Sequence, residues 1–555
     1  AASAAGTNTA SLTYRWNFGN GALTNGNGLS MVTNTYGSGI YTVSLTVSNT
    51  FNEAASLTRT DYILVGPLSI YVATNGSAAA PYTNWATALR DINWAFDNAG
   101  SNDTVYLAGG THPLTRTLLV GGNGVSIRGS YEGTIGTGPG NHDIDRWPTV
   151  ITRPSSVEYL RLLTIGGATN SRLENVILSG GLSLVSGGNV PGAGVAILNS
   201  SGIRLSNCRL LKNNSTDYGG AVYAFDSYGV ISNCDVSANS VHANGWDDTI
   251  YGGGIYLSGG AWTLLDSSVG GNNTDRSRYR DDYNNNRERL YGGGIYVASG
   301  THLVRNCAIY GNNGSRPRNS TGTPHTRLGG GLYINGGSVQ VVNSTLVGNN
   351  NEGVRRAGGS LSLTNCIVWG NDDDVAGIGV ILDHCDIEDG DSGTACFSAD
   401  PLFERGLYLA TTSPCTNAGS DNASAFGLST YTTHTNGAAD AGKVDLGYHY
   451  SAGLLPSFAD LYVATDGNDT NSGTSTGAAF RTVTKALQVA KDGTHIHVGI
   501  GAFNRSGGEV FPLPMRKPGL HVKGAGPSQT TLDAAGANDQ VFTITGIPVD
   551  GRLED

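Results

Sequence analysis

Methionine and lysine are nearly missing from this chain, with two and six residues in 555. Charged residues of all kinds make up only 14 %. A composition so poor in charge, with Asn, Ser and Thr abundant, suits a turn-dense β protein outside the cell better than a cytosolic enzyme. No apolar run approaches the roughly 20 residues that cross a membrane as a helix, so no membrane insertion is expected. Basic residues are outnumbered 33 to 44, and the net charge of −11 argues against a general nucleic-acid binder. The opening AASAAGTNTA has neither a charged start nor an apolar core. It does not read as a signal peptide; it could follow a cleaved one or be cut from a longer chain. Cysteine spacing of the CxxC or Cys/His kind is also absent, which removes a zinc-type site from the reading.

What the chain has in excess is glycine, 82 residues without a collagen period, and an internal repeat. Four blocks of 22 residues align without gaps from Gly219, Gly252, Gly292 and Gly329, and a shorter fifth starts at Gly358. Between them lie inserts of variable length, 241–251, 274–291 and 314–328. A constant core with inserts at one point is how a solenoid reads. Inside a block, short alternating runs such as Ile255-Tyr256-Leu257 and Val339-Gln340-Val341 are split by Gly, Ser and Asn. That fits three short parallel strands per coil, and no helical period fits. Asn-Cys or Asn-Ser recurs at 207–208, 233–234, 306–307, 343–344 and 365–366. Asn at a repeated turn can bond its counterpart one coil on, and the small Cys or Ser fills a tight interior. Cys208, Cys234, Cys307, Cys366 and Cys385 are therefore read as interior residues. Cys396 and Cys415 lie outside the repeat, and a disulfide between them is expected, as in an oxidising compartment.

The pattern GG-[AGL]-[VIL]-Y followed by N-x-x-[VIL]-x-x-N resembles the repeat of right-handed parallel β-helices, in the style of bacterial polymorphic outer-membrane and adhesin-like proteins. The resemblance implies a fold, and that fold hosts lyases, hydrolases, epimerases, adhesins and fibres alike. Residues 1–66 carry Trp16-Asn-Phe-Gly-Asn-Gly21 and an alternating Tyr41 to Val47. They resemble the polycystic-kidney-disease (PKD) domain, a β-sandwich that implies a spacer or adhesion module, with Trp16 as core. Residues 69–400 are the β-helix, opened by a helix over Trp85 to Phe96 whose Trp85, Leu89, Ile92 and Phe96 form one apolar face that plugs the first coil. Residues 401–452 follow, with Asp400-Pro-Leu-Phe403, Ser413-Pro-Cys415 and Val444-Asp-Leu-Gly447 in order. They resemble the C-terminal segment of the bacterial surface β-helix family called choice-of-anchor, which implies a cap on the coil stack. Residues 460–555 repeat the opening: Leu461 to Gly467 parallels Ile70 to Gly76, with a helix expected over Phe480 to Ala490 and a strand at His495 to Val498. The expected fold is all-β: a PKD-like β-sandwich, a right-handed parallel β-helix solenoid with its capping segment, and the beginning of a second β-helix.

The inserts hold the richest chemistry. Arg276, Arg278, Arg280, Arg287 and Arg289 lie in one, and Arg316, Arg318 and Arg327 in the next. Arginine forks suit carboxylate and sulfate groups, and Trp246, Tyr279 and Tyr283 offer rings to sugars. These residues are the candidate glycan-binding set, with an anionic polysaccharide as partner. The competing reading pairs the arginines with Asp247, Asp248, Asp275, Asp281, Asp282 and Glu288. Asp466, Asn468, Asp469 and Asn471 place oxygens at alternating positions, as Ca2+ loops do, though the closing Glu of an EF-hand is missing and turn chemistry explains them as well. No cofactor is required, and Ca2+ is the one ion the pattern suits. A glycosidase needs two carboxylates about 5–10 Å apart; Asp372-Asp373-Asp374 and Asp386, Glu388, Asp389 and Asp391 could supply them or form a solvated terminal turn. No catalytic residue is assigned. The expectation is a secreted or cell-surface structural or adhesive protein whose partner is itself, as a head-to-tail filament covering the unfinished second helix, or the neighbouring domains of a longer chain. The alternatives are a polysaccharide lyase or glycoside hydrolase, and a non-catalytic binder of anionic glycans.

Overall fold

The computed structural model describes residues 12–554, apart from 38, 52, 67, 80–81, 135–137, 184–190, 243–248, 276–288, 315–325, 452–459, 516, 535–539 and 545–551. The sequence blocks become coils, and their alignment becomes the strand register. Val222, Ile255, Ile295 and Leu332 sit side by side on successive coils, as do Tyr223, Tyr256, Tyr296 and Tyr333. Each block supplies one strand to each of three long parallel sheets. In the second block these strands are Ile255–Ser258, Ala261–Leu265 and Ser268–Gly270. Called sheets I, II and III in that order, they hold nine, eleven and ten strands among the described residues. Alternate residues point inward and merge into one hydrophobic column from Leu68 to Ile387. Burying each large apolar side chain contributes roughly 1.5–3 kcal/mol, and each coil leans only on its neighbours.

Both asparagines of N-x-x-[VIL]-x-x-N form rows. The first takes positive φ, from 47° at Asn343 to 55° at Asn365, and Asn233 Nδ2 donates to Asn207 Oδ1 at 2.5 Å. The second forms a buried ladder. Asn213, Asn239, Asn272, Asn312 and Asn349 each donate Nδ2 to the next asparagine's Oδ1 at 2.9–3.1 Å, ending on Asn371. The inserts leave beside this ladder, at the corner between sheets III and I. Their first residues extend strands Leu182–Ser183 and Asn214–Thr216 of earlier coils into a five-stranded sheet, and their last form a three-stranded one from Thr249–Tyr251, Arg289–Tyr291 and Thr326–Leu328.

The described residues of the N-terminal segment form a four-stranded antiparallel sheet. Trp16 is half-buried there, its Nε1 donating to Leu29 O at 2.8 Å. The plug helix is shorter than expected. Trp85–Thr87 is a 3-10 turn, Leu89 pairs with Val72, and only Ile92–Asn98 (α1) is α-helical. Leu89 is drawn into the sheet edge, and Asp91 caps α1 by accepting from Asn93 N at 2.8 Å. Trp85 packs instead on Tyr71 and Tyr131, outside the main column. In the second unit the helix likewise shrinks to Val483–Val489 (α2), capped by Thr482 and by Glu509, which accepts from Val483 N at 2.6 Å and Thr484 N at 2.9 Å.

The 401–452 segment does not plug the end of the stack. It runs back along the side as a strap over the first asparagine row. Asn306 and His449 exchange two hydrogen bonds of 2.7 and 2.9 Å, Ser420 N donates to Asn365 Oδ1 at 2.8 Å, and Tyr431 OH reaches Asp266 Oδ2 at 3.2 Å. Its apolar side, Phe403, Leu407, Tyr448 and Tyr450, packs on Tyr310, Val347 and Trp369 of sheet III. Buried inside it, His449 Nε2 pairs with Asp440 Oδ2 at 2.9 Å. The end itself is closed by Thr394 and Phe397, which bridge to Asp383 and Asp386. The expected Cys396–Cys415 disulfide is not formed. All seven cysteines are free thiols; Cys415 Sγ donates to Asp386 Oδ2 at 3.0 Å, while Cys396 lies against Cys385.

Candidate functional site

Sheet I carries the feature that most resembles a binding surface. The fifth residue of each block points outward there and is tyrosine. Rings of Tyr223, Tyr256, Tyr296 and Tyr333 stack at 5.3 Å intervals with interplanar angles of 16°, 7° and 6°. A parallel row comes from the residue directly before the first three blocks: Tyr218 stacks on Tyr251 at 5.4 Å, and Tyr251 on Tyr291 at 5.5 Å. The rows interlock, with Tyr218 against Tyr256 at 4.9 Å and Tyr251 against Tyr296 at 4.6 Å. Tyr296 and Tyr333 are buried, the others half-buried, and Phe225, 39 % exposed, lies beside Tyr223 on the same strand with rings 6.5 Å apart. Burial, then the neighbouring phenols, pushes Tyr333 up to about 12 and Tyr256 and Tyr296 higher still. The rows are therefore neutral hydroxyl donors bedded on ring edges. Arg161 closes one end, donating to Pro191 O at 2.6 Å and Gly192 O at 3.1 Å; Arg355 closes the other, paired with Glu352 at 2.6 Å.

Of the candidate set from the sequence, Arg289 and Arg327 are described. Arg289 and Arg327 lie on adjacent strands of the three-stranded sheet, where Arg327 pairs with Leu290 and Arg289 with Thr326. Trp246, Arg276, Arg278, Tyr279, Arg280, Tyr283, Arg287, Arg316 and Arg318 lie outside the described residues. The last strands of two of the inserts, Thr249–Tyr251 and Arg289–Tyr291, end on tyrosines of the second row. The rows themselves escaped the sequence reading although their signal was visible: tyrosine at the fifth block position, and tyrosine directly before Gly219, Gly252 and Gly292.

The calcium-type loop is occupied with backbone. Asp469 accepts from Arg481 N and Thr482 N at 2.9 Å and from Thr482 Oγ1 at 2.8 Å, and Asn468 Oδ1 accepts from Thr470 N at 3.0 Å. Asn471 Nδ2 donates to Ala479 O at 2.9 Å, and Asp466 is exposed. The acidic residues of the last coils do the same. Asp372 accepts from Asn351 N at 2.9 Å and Glu388 from Gly370 N at 2.6 Å. Asp374 and Asp389 each take the other's backbone N–H, at 3.2 and 2.8 Å. Burial raises both Asp374 and Asp386 to about 6.

A second concave region, a cleft of about 760 Å3, lies where the second unit docks beside sheet III. Asp235 faces outward from that sheet and meets Lys517 Nζ at 2.8 Å. Burial alone would raise Asp235, but Lys517 outweighs it and holds the carboxyl below its usual range. Burial would lower Lys517, but Asp235 and Asp492 raise it. Tyr450 OH donates to Asp492 Oδ2 at 3.1 Å, Lys485 Nζ to Asp145 O at 3.1 Å, and Arg209 pairs with Asp145. Lys517–Asp235 and Lys485–Asp145 join the second unit to the first across this cleft, which marks it as a docking contact.

The PKD domain family matches residues 2–61, and a family described as "protein of unknown function (DUF1565)" matches residues 465–551. No curated protein sequence matches the chain. Among solved structures, pectate lyase Pel9A is similar at 11 % identity with a TM-score of 0.39, over 69 % of this chain and 97 % of that one. Tailspike protein 3 of bacteriophage CBA120 is similar at 10 % identity, TM-score 0.20, over 62 % and 61 %. An alginate lyase of the PL6 family, AlyGC, is similar at 12 % identity, TM-score 0.18, over 83 % and 74 %. The stacked parallel sheets make the chain an all-β protein with a long parallel β-helix, and the family match gives it an N-terminal PKD domain. Among the described residues no helix is long and apolar enough to cross a membrane.

Proposed function

We propose that this is an extracellular, surface-associated β-helix protein of structural or adhesive role that holds polysaccharide along sheet I. The double tyrosine row carries this reading. It offers phenol hydroxyls and ring edges at a 5.3 Å repeat, a spacing suited to an extended hydroxyl-rich chain. Arg289 and Arg327 lie on the strands that lead from the inserts back to sheet I, so anionic sugars are favoured. The carboxylates that a glycosidase would use cap coil ends instead, which supports binding without turnover. The test is retention of the full chain on immobilised pectate, alginate and sulfated polysaccharide, with product analysis. Retention is expected without new reducing or unsaturated ends. Y223A combined with F225A should weaken it roughly 5–10-fold, the loss of about 1–1.4 kcal/mol of aromatic contact. Unchanged retention in that variant sinks the tyrosine platform, and new chain ends would make the protein an enzyme.

A further inference from the structure

The thiols form a stack, and one end of it opens to solvent. Cys366, Cys385 and Cys396 stand on three successive coils at the C-terminal end of the column. Bridges Asp383↔Thr394 and Asp386↔Phe397 set Cys385 opposite Cys396. The Cys396 thiol donates to Thr394 O at 3.6 Å and Cys385 to Asp383 O at 3.4 Å, and the three sulfurs are close enough to perturb one another's ionisation. Neighbouring strands lie roughly 4.7–4.9 Å apart, inside the Cα separation of about 4.4–6.8 Å that a disulfide takes. Cys366 and Cys385 are fully buried, whereas Cys396 is partly exposed. Cys208 and Cys234 are neighbours too, but only 1 % and 3 % exposed, and Cys307 is flanked by Ser267 and Ser344.

We propose that Cys385 and Cys396 are an oxidation site: they join as a disulfide when the folded chain meets a small-molecule disulfide, and the bond staples the last coil to the one before it. The Cys385 sulfur and then burial hold the Cys396 thiol above its usual range, so alkaline solution is needed to draw its proton to solvent; the thiolate then attacks one sulfur of oxidised glutathione, releasing one glutathione thiol. The Cys385 sulfur then attacks the Cys396 sulfur of the mixed disulfide, its proton leaves, and the second glutathione thiol departs. Two protein thiols are oxidised by two electrons, and one glutathione disulfide is reduced to two thiols. The bond closes a short loop at the end of the solenoid, where a terminal coil would fray first.

The experiment incubates the full folded chain with oxidised glutathione at pH 8.5, quenches by alkylation under denaturant and maps peptides without reduction. Free thiols should fall from the seven of the untreated chain by two, with a linked peptide containing Cys385 and Cys396. C415S should give the same link and C396S none. The unfolding midpoint of the oxidised chain should rise by about 2 °C or more and return on reduction. Seven alkylatable thiols, a Cys396–Cys415 link, or glutathione held on Cys396 without transfer would each overturn the proposal. C396S changes a partly exposed residue, so it serves as the control if C385S fails to fold.

Discussion

At the residue scale, the molecule depends on side chains that repeat by coil. Asn272 is fully buried and makes four hydrogen bonds: Nδ2 to Val236 O at 2.9 Å and to Asn312 Oδ1 at 3.0 Å, and Oδ1 from Asn239 N at 3.0 Å and Asn239 Nδ2 at 3.0 Å. N272A leaves a buried amide and a buried carbonyl without partners, so it should cost about 2–4 kcal/mol. Chemical denaturation of the variant measures this, and a loss below 1 kcal/mol would mean that the ladder is not a source of stability. Some repeats are broken to fit a neighbour. Gly270 lies beside Tyr310 in register, and a Cβ there would enter the Tyr310 ring. The tyrosine can turn back beneath the strap only because the coil before it carries no side chain.

At the scale of elements, the last coils are sensitive to pH. Asp374 and Asp386 are held by burial at about 6, above the usual carboxylate value. A carboxyl raised on folding favours the protonated folded state. Its stabilising contribution is complete below the unfolded value near 4 and is lost as pH rises through about 6. Amides across 381–397 should therefore be better protected at pH 4.5 than at pH 7, after correction for intrinsic exchange. D386N should flatten that difference; an unchanged difference assigns it elsewhere. The elements also show where sequence reading was reliable. Strands at His495–Val498 and throughout blocks 219–350 follow directly from alternation. Both helices were placed too long, because Leu89 and Phe480 satisfy helical spacing yet pair with Val72 and Val463 in the sheet.

At the scale of the whole molecule, the second β-helix lies beside the first, not beyond it. Lys517 bridges Asp235 on sheet III and Asp492 in its own unit. K517A leaves two carboxylates facing each other across a partly buried joint, and removing one partner of such a pair costs about 3–5 kcal/mol at full burial, less here. Solution scattering should then show a larger radius of gyration. Amides of α2 and of Arg209–Leu211 should lose protection while those of Ile255–Ser258 keep it. Identical scattering curves would show that the joint is held by other contacts.

Repetition is why so much of this protein can be read from one string of letters. The blocks from Gly219 to Gly329 specify strand register, the inward Cys and Ser column and the corner where inserts leave, because each coil meets only a near-copy of itself. The direction of the strap, the partner of Cys396 and the side-by-side docking of the second unit obey no such rule. Asn306 meets His449 across 143 positions and Lys517 meets Asp235 across 282. Such pairs depend on how a non-repeating segment turns in space, and no local period encodes that. The tyrosine rows fall between the two cases: each ring was legible in its block, but only the stacking of coils turned separate rings into a surface.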